Sequence, residues 1–342
     1  MDHSRRQFIK ASGGIALAGA GGMLSASPSF AQPGGKFTLK WSNNLQLSHP
    51  VNVRAKELAE NIRRDTDGRV DLQIFPNSQM GSDPDVLSQI RAGGIDCVLM
   101  SGLIFSTLVP VASINGLGFA FKDYAQVWNA MDGDLGAYIR GALAKVNLFA
   151  MDRMWDSGFR QITTSSKPIN SPADLKGLKI RVPGAPIWTT LFKALGAAPT
   201  PVNYTELYSA LQTKAVEGQE NPLAIIQSTR LYEVQKYVTY SNHMWDGWWF
   251  VFNARSWAKL PKDLQVIVAR DIDAMAQTQR EDMLKANATL EAELKAKGMV
   301  FNTLDTDPFR ALLKTSGFYE DWRRKFGEEA WTLLEKATGK LI

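Results

Sequence analysis

Beyond residue 31 the chain has two histidines, His49 and His243, and its single cysteine is Cys97. Histidine and cysteine most readily act as bases, nucleophiles or metal ligands near neutral pH. The two histidines are far apart in sequence and neither stands in an HExxH or CxxC context, so no local metal site is spelled out. A lone cysteine excludes an internal disulfide framework and a cysteine zinc cluster. Cys97 lies inside an apolar, strand-like run and reads as a small core residue. GxSxG and GxxxxGKS/T are absent, and Gly116-Leu117-Gly118 followed by Phe119-Ala120-Phe121 fails GxGxxG. The expected chemistry is therefore binding, with no enzyme activity, metal or cofactor.

Charge and length narrow the class. Lys plus Arg number 39 and Asp plus Glu 34 in 342 residues, a net charge of +5. Without residues 1–31 the count is 36 against 33, which gives no reason to propose nucleic acid as a partner. That leading segment reads Ser4-Arg5-Arg6-Gln7-Phe8-Ile9-Lys10 and then carries no charge from Ala11 to Gly35. Paired arginines before a weakly apolar Gly/Ala stretch resemble a twin-arginine export signal, with small residues at Ser29 and Ala31 for a peptidase. Residues 1–31 are thus expected to be a signal peptide, with the mature protein starting near Gln32 in the periplasm. A second charge-free run, Cys97 to Phe121, is broken by Gly102, Pro110, Asn115, Gly116 and Gly118 and is not expected to span a membrane.

The elements that must carry any site alternate in type. Strand-like Lys36–Trp41 leads to a helical run Val51–Arg64, strand-like Val70–Phe75, a helix Ser82–Ala92 and a buried strand Ile95–Met100. This is β-α-β-α-β, the pattern of an α/β domain with a largely parallel sheet. A second series begins near residue 158, with strands expected at 159–164, 178–182, 198–201 and 215–219. Helices are expected at 185–195, 204–213 and from Asn221-Pro222 onward. From Pro261 to Gly298 the pattern is almost unbroken helix, long enough to reach across two domains.

Several ordered segments carry a resemblance. Ile74-Phe75-Pro76-Asn77-Ser78-Gln79-Met80-Gly81, Trp155 to Ser165, Leu178-Lys179-Ile180-Arg181-Val182-Pro183, Pro199 to Tyr204, Val216 to Leu223 and Leu231 to Tyr237 before Ser241-Asn242-His243 follow one another with fixed spacing. Together they resemble the solute-binding subunits of tripartite ATP-independent periplasmic (TRAP) transporters, the DctP family. The resemblance implies an α/β, two-lobed, type II periplasmic-binding-protein-like fold with a long helix spanning both lobes. The split expected is 32–157 plus 247–286 for lobe I and 158–246 plus 287–342 for lobe II. It also implies an organic-acid ligand in the cleft and TRAP membrane subunits as partners, a sensor being the alternative partner.

The same resemblance places roles. Arg181 is expected to hold the ligand carboxylate through two parallel hydrogen bonds, as a planar guanidinium does. Arg160 would support the same carboxylate, Asn221 would contact it, and Tyr204 would lie near the ligand. On its own, Asn221 reads as a helix cap before Pro222. Trp245, Trp155 and Asp156 are expected at the inter-lobe crossings, and His49 and Asn43-Asn44 in a first loop reaching the cleft. After the third strand, sialic-acid-binding relatives present a glutamate; this chain reads Ser101-Gly102-Leu103. That difference, with Trp245, Trp248 and Trp249 in one short segment, points to a monocarboxylate or keto acid with an apolar or aromatic body. A C4-dicarboxylate would need a second cation, for which His49 and Arg153 are the candidates.

Overall fold

A computed structural model describes residues 35–342; the expected signal peptide and its expected cleavage site lie outside the described residues. In chain order the strands are β1 (Phe37–Ser42), β2 (Val70–Phe75), β3 (Cys97–Ser101), β4 (Leu148–Ala150), β5 (Trp155–Phe159) and β6 (Gln161–Thr164). They continue with β7 (Lys179–Val182), β8 (Ala198–Pro201), β9 (Gly218–Asn221), β10 (Tyr237–Tyr240), β11 (Trp245–Asn253) and β12 (Val300–Thr303). Two six-stranded sheets result. The first has the order β2-β1-β3-β11-β4, with β5 also on β11; the second has the order β12-β10-β6-β9-β7-β8.

Local sequence chemistry explains the helices that flank the site. In Pro50–Asp65, Val51, Ala55, Leu58 and Ile62 recur at spacings of four, three and four and are all buried, so one stripe faces the sheet. Asp83–Ala92 opens with a reciprocal Ser82/Asp85 capping box and stops at Gly93 in the left-handed region. The apolar run after β3 becomes a short helix, Gly102–Phe105, and a 3-10 segment, Pro110–Gly116, buried throughout except at Pro110. No helix of the described residues is long and apolar enough to cross a membrane.

The 35-residue helix Lys262–Ala296 ties the lobes together. Leu264, Val268, Ile272 and Met275 pack in a core with Trp41 and Phe250 of the first lobe. Met283, Leu290 and Leu294 pack in another with Leu207 and Val238 of the second. Between them, the Gln279 side chain donates to Asp156 O and accepts from Asp156 N, both at 2.8 Å, which pins the crossing strand β5. β11 crosses beside it with a register shift between Asp246 and Gly247. A Cβ at Gly247 would stand 2.9 Å from the Trp155 carbonyl oxygen and closer still to the Trp245 ring, so only glycine fits there.

Two regions differ from the sequence expectation in detail. β9 begins at Gly218, three residues later than the expected strand, and the next helix starts at Leu223 with Pro222 in the capping position. After β12, which joins the second sheet, three helices cover 307–338. Of these, Glu328–Thr338 packs on Tyr124–Met131 and Asp134–Ala144, while Asp307–Thr315 and Phe318–Phe326 contact Pro186–Ala194.

Candidate binding site

β7 delivers Arg181 to the boundary between the lobes. The residue is 1% exposed, and its Nε donates to Val202 O at 2.9 Å. It forms no ion pair with any carboxylate among the described residues. Burial lowers its pKa to about 10, and the nearby Arg160 charge pushes the same way. Glu220 and, across the cleft, Asp83 pull it back up. The group is a protonated guanidinium without an ion-pair partner among the described residues, an arrangement that can take an anion from outside.

Arg160, in the turn between β5 and β6, is differently placed. It donates to both Glu220 carboxylate oxygens, to Glu220 O at 2.8 Å and to Asn221 Oδ1 at 2.9 Å, and it pairs with Asp246 at 3.3 Å. Its guanidinium also lies over the Trp188 ring, 5.1 Å from the centroid. Glu220 is fully buried; desolvation raises its pKa, but Arg160 and His243 outweigh that and hold it ionised. His243 is neutral because burial lowers its pKa. The contacts fit an imidazole whose Nε2 donates to Glu220 at 3.1 Å while Nδ1 accepts from Ser241 Oγ at 2.8 Å. Arg160 thus belongs to an internally satisfied network that shapes the cavity wall, and its charge is already matched. Asn221 stands at the end of β9, with its Oδ1 on Arg160 and its Nδ2 on Gln219, and caps no helix.

These residues line a cavity of about 40 Å3 between the lobes. Arg160, Arg181, Tyr204, Asn221 and Ser101 are all brought to it. Ser101 Oγ donates to Asp246 Oδ1 at 2.8 Å, and burial raises the Asp246 pKa to about 6. Two buried hydroxyls, Ser157 Oγ and Tyr204 Oη, have no hydrogen-bond partner among the described residues. A buried unsatisfied hydroxyl costs about 1–3 kcal/mol, so both are set to meet a ligand atom or ordered water. Opposite Arg181, Asp83 accepts from Asn44 Nδ2 at 2.9 Å, and burial pushes its pKa up. Ile104, Trp188 and Trp248 supply the apolar wall.

The other expected residues stand elsewhere, each for a packing reason. Side chains alternate along β5, so Ser157 faces the cavity while Asp156 points to the far side. There Asp156 Oδ1 accepts from the Trp245 indole at 3.0 Å, and Trp245 packs edge-on to Trp128. Trp155 is buried in the first-lobe core, edge-on to Trp41. His49 is the cap of Pro50–Asp65, with Nδ1 accepting from Val51 N, and its ring meets Trp248 at 5.5 Å. Burial lowers its pKa to about 3, so it supplies no cation. Asn43 is spent on Asn52 and Leu45, which orients the loop so that Asn44 reaches Asp83. Arg153 lies near Asp132 and Gln277 and lines no part of this cavity. Asp83, Ser157, Asp246, Trp188 and Trp248 were missed as site residues. Only Asp246 and Trp248 left a signal, by sharing one face of the Trp-rich strand.

Asp156 gives a pH test. Burial raises its pKa to about 7, against the opposing pull of Trp245, Tyr124 and Arg280, with Asp246 adding to the rise. Its folded pKa lies above the unfolded value, so native protein binds the extra proton and stability falls as pH rises between roughly 4 and 7. Asp156→Asn is expected to raise the melting midpoint by a few degrees at pH 8 and by little at pH 4.5. Thermal melts at both pH values check this; an equal difference at the two would contradict it.

Two α/β lobes, crossing strands, a shared long helix and a buried cation facing the cleft define a periplasmic-type solute-binding protein. The sequence matches the bacterial extracellular solute-binding protein family 7, DctP, over residues 41–320, and the chain belongs to that family. It is similar to the sialic acid-binding periplasmic protein SiaP of Vibrio cholerae, 31% identical over 85% of this chain and 90% of the relative. It also resembles a TRAP periplasmic solute-binding protein from Bordetella bronchispeptica whose crystal density is assigned to pantoate. That structure shares 27% identity, covers 89% of this chain and 99% of its own, and gives a TM-score of 0.83. A third, from Sulfurospirillum deleyianum with bound succinate, shares 28% identity, with coverages of 89% and 99% and a TM-score of 0.82. TRAP solute-binding proteins are periplasmic and bind small organic acids.

Proposed function

We propose that this chain captures an organic monocarboxylate carrying a 2-hydroxy or 2-oxo group and an apolar body, and delivers it to TRAP membrane subunits. The observation that carries this reading is the buried, unpaired Arg181 guanidinium. Two parallel N–H···O bonds from Arg181 would take the carboxylate. Ser157, Tyr204 and the Asn44–Asp83 pair offer donors and acceptors for one adjacent oxygen, and Ile104, Trp188 and Trp248 suit an apolar body. The aromatic members of this class are favoured by the same two tryptophans.

Binding couples to closure because the contacts come from both lobes: Arg181 and Tyr204 from one, Asp83, Asn44 and Ser101 from the other. A ligand that touches both favours the closed form, with movement about Ser157–Gly158 and Asp246–Gly247. Export by the twin-arginine route belongs to the same proposal, supported by Arg5-Arg6 and the uncharged stretch after them.

A C4-dicarboxylate is the second reading, supported by the succinate-bound relative. Among the described residues the cavity offers it no second unpaired cation, since Arg160 is matched by Glu220 and Asp246, His49 is neutral and Arg153 is remote. A thermal-shift panel separates the two. The largest stabilisation is expected from branched or aromatic 2-hydroxy and 2-oxo acids; a larger one from succinate or malate would overturn the first reading. Adjacent genes for TRAP membrane subunits would support transport, and an adjacent sensor kinase would favour signalling.

A further inference from the structure

Outside the cavity runs a groove of about 290 Å3 that shares Asp83, Ile104, Arg181, Pro183 and Tyr204 with it. One wall is a single face of the helix Asp83–Ala92, because Asp83, Leu87 and Arg91 follow one another at intervals of four residues. Leu108 adds to the apolar lining, and Pro183 and Gly184 come from the second lobe. The middle of the groove is apolar, with Leu87, Ile104 and Leu108. Its outer rim is polar, with Ser88 and then Arg91, the latter about 12 Å along the helix from Asp83.

Size then decides where a ligand goes. The inner cavity, at about 40 Å3, is much the smaller of the two spaces that Arg181 lines, against about 290 Å3 for the groove. An acid held at Arg181 that is larger than the inner cavity must extend somewhere, and the space next to Arg181 is this groove. Gly184 keeps it open: a Cβ there would meet nothing within 4 Å, and the glycine is not in the left-handed region.

We propose that the groove is a second subsite, taking the part of the apolar body that extends past Ile104 from the acid whose carboxylate is held by Arg181. The bound class is then an acid with a polar head and an aliphatic or aromatic body longer than about four carbons. Leu87, Leu108 and Gly184 set the preferred body size. This rests on the carboxylate reading of Arg181, and the experiment separates the two.

The test is calorimetry with straight-chain 2-hydroxy acids of three to eight carbons. In the wild-type protein, affinity is expected to rise about fourfold per methylene until the groove is filled, as burial of apolar surface requires. Gly184→Leu should leave the shortest binding acid within twofold of wild type and remove the gain for longer ones. Leu108→Glu, half-buried on the opposite wall, should weaken long acids by tenfold or more and the shortest by little. Wild-type affinity independent of length would overturn the subsite. So would either variant weakening short and long acids alike while the melting midpoint of the ligand-free protein is unchanged. Failure of the Arg181 reading looks different: acids of every length bind equally well to wild type and to Arg181→Met.

Discussion

Arg181→Met is expected to lose organic-acid binding by roughly 2–5 kcal/mol, while the ligand-free protein melts at or slightly above the wild-type midpoint. The first half follows from removing one member of a buried, charge-assisted pair at the moment the other is brought in. At low-micromolar affinity, about −8 kcal/mol, a loss of that size puts binding beyond ordinary detection. The second half follows from what Arg181 lacks. With Val202 O its hydrogen-bond acceptor and no carboxylate paired to it among the described residues, its buried charge is a cost in the empty protein that methionine removes. Calorimetry with the best acid, beside a melt without ligand, measures both halves. Retained affinity, or a marked loss of stability, would contradict the assignment.

The neighbouring arginine should behave in the opposite way. Arg160→Met is expected to destabilise the empty protein by about 3–5 kcal/mol, because it leaves Glu220 and Asp246 buried without their cation. The pH dependence follows with a definite sign. In the wild type the Glu220 pKa is depressed, so its contribution is present at neutral pH and is lost as pH falls through the folded value. In the variant, burial without Arg160 raises Glu220 and lifts the already raised Asp246 further, so stability is instead regained as pH falls. The melting difference between the two proteins should therefore narrow from pH 7 to pH 5. A constant difference, or a stable variant at pH 7, would show that the network carries little energy.

The contrast between these two arginines marks the limit of what the chain discloses before it is folded. Both stand in motifs that resemble one family, and both were expected to meet the same carboxylate. Which one is already neutralised depends on Glu220, whose strand pairs with β6 so that Ile162 lies opposite Glu220 and Gln161 opposite Asn221. Nothing in Gln219-Glu220-Asn221 says that the acid turns inward and the amide caps nothing. The sheets and the long helix were legible because period-two and period-3.6 patterns are local properties of the chain. The cavity floor was not, since it depends on a register shift at Gly247 and on alternation along β5 that presents Ser157 and hides Asp156. His49 misled for a related reason: a loop histidine before a proline is as good a helix cap as a cleft ligand, and capping buried it.

Asp83 illustrates the same point from the other lobe. As the first residue of a capped helix it needs no functional explanation. The folded arrangement of the lobes places it opposite Arg181, where burial raises its pKa and the guanidinium opposes that rise.

The most direct test is mass spectrometry of the small molecule that co-purifies with the protein, released by denaturation and compared with the same extract from Arg181→Met. A single carboxylic acid, stoichiometric in the wild type and missing from the variant, is the result this account predicts. A neutral or cationic molecule, or the same acid at equal occupancy in both, would contradict it.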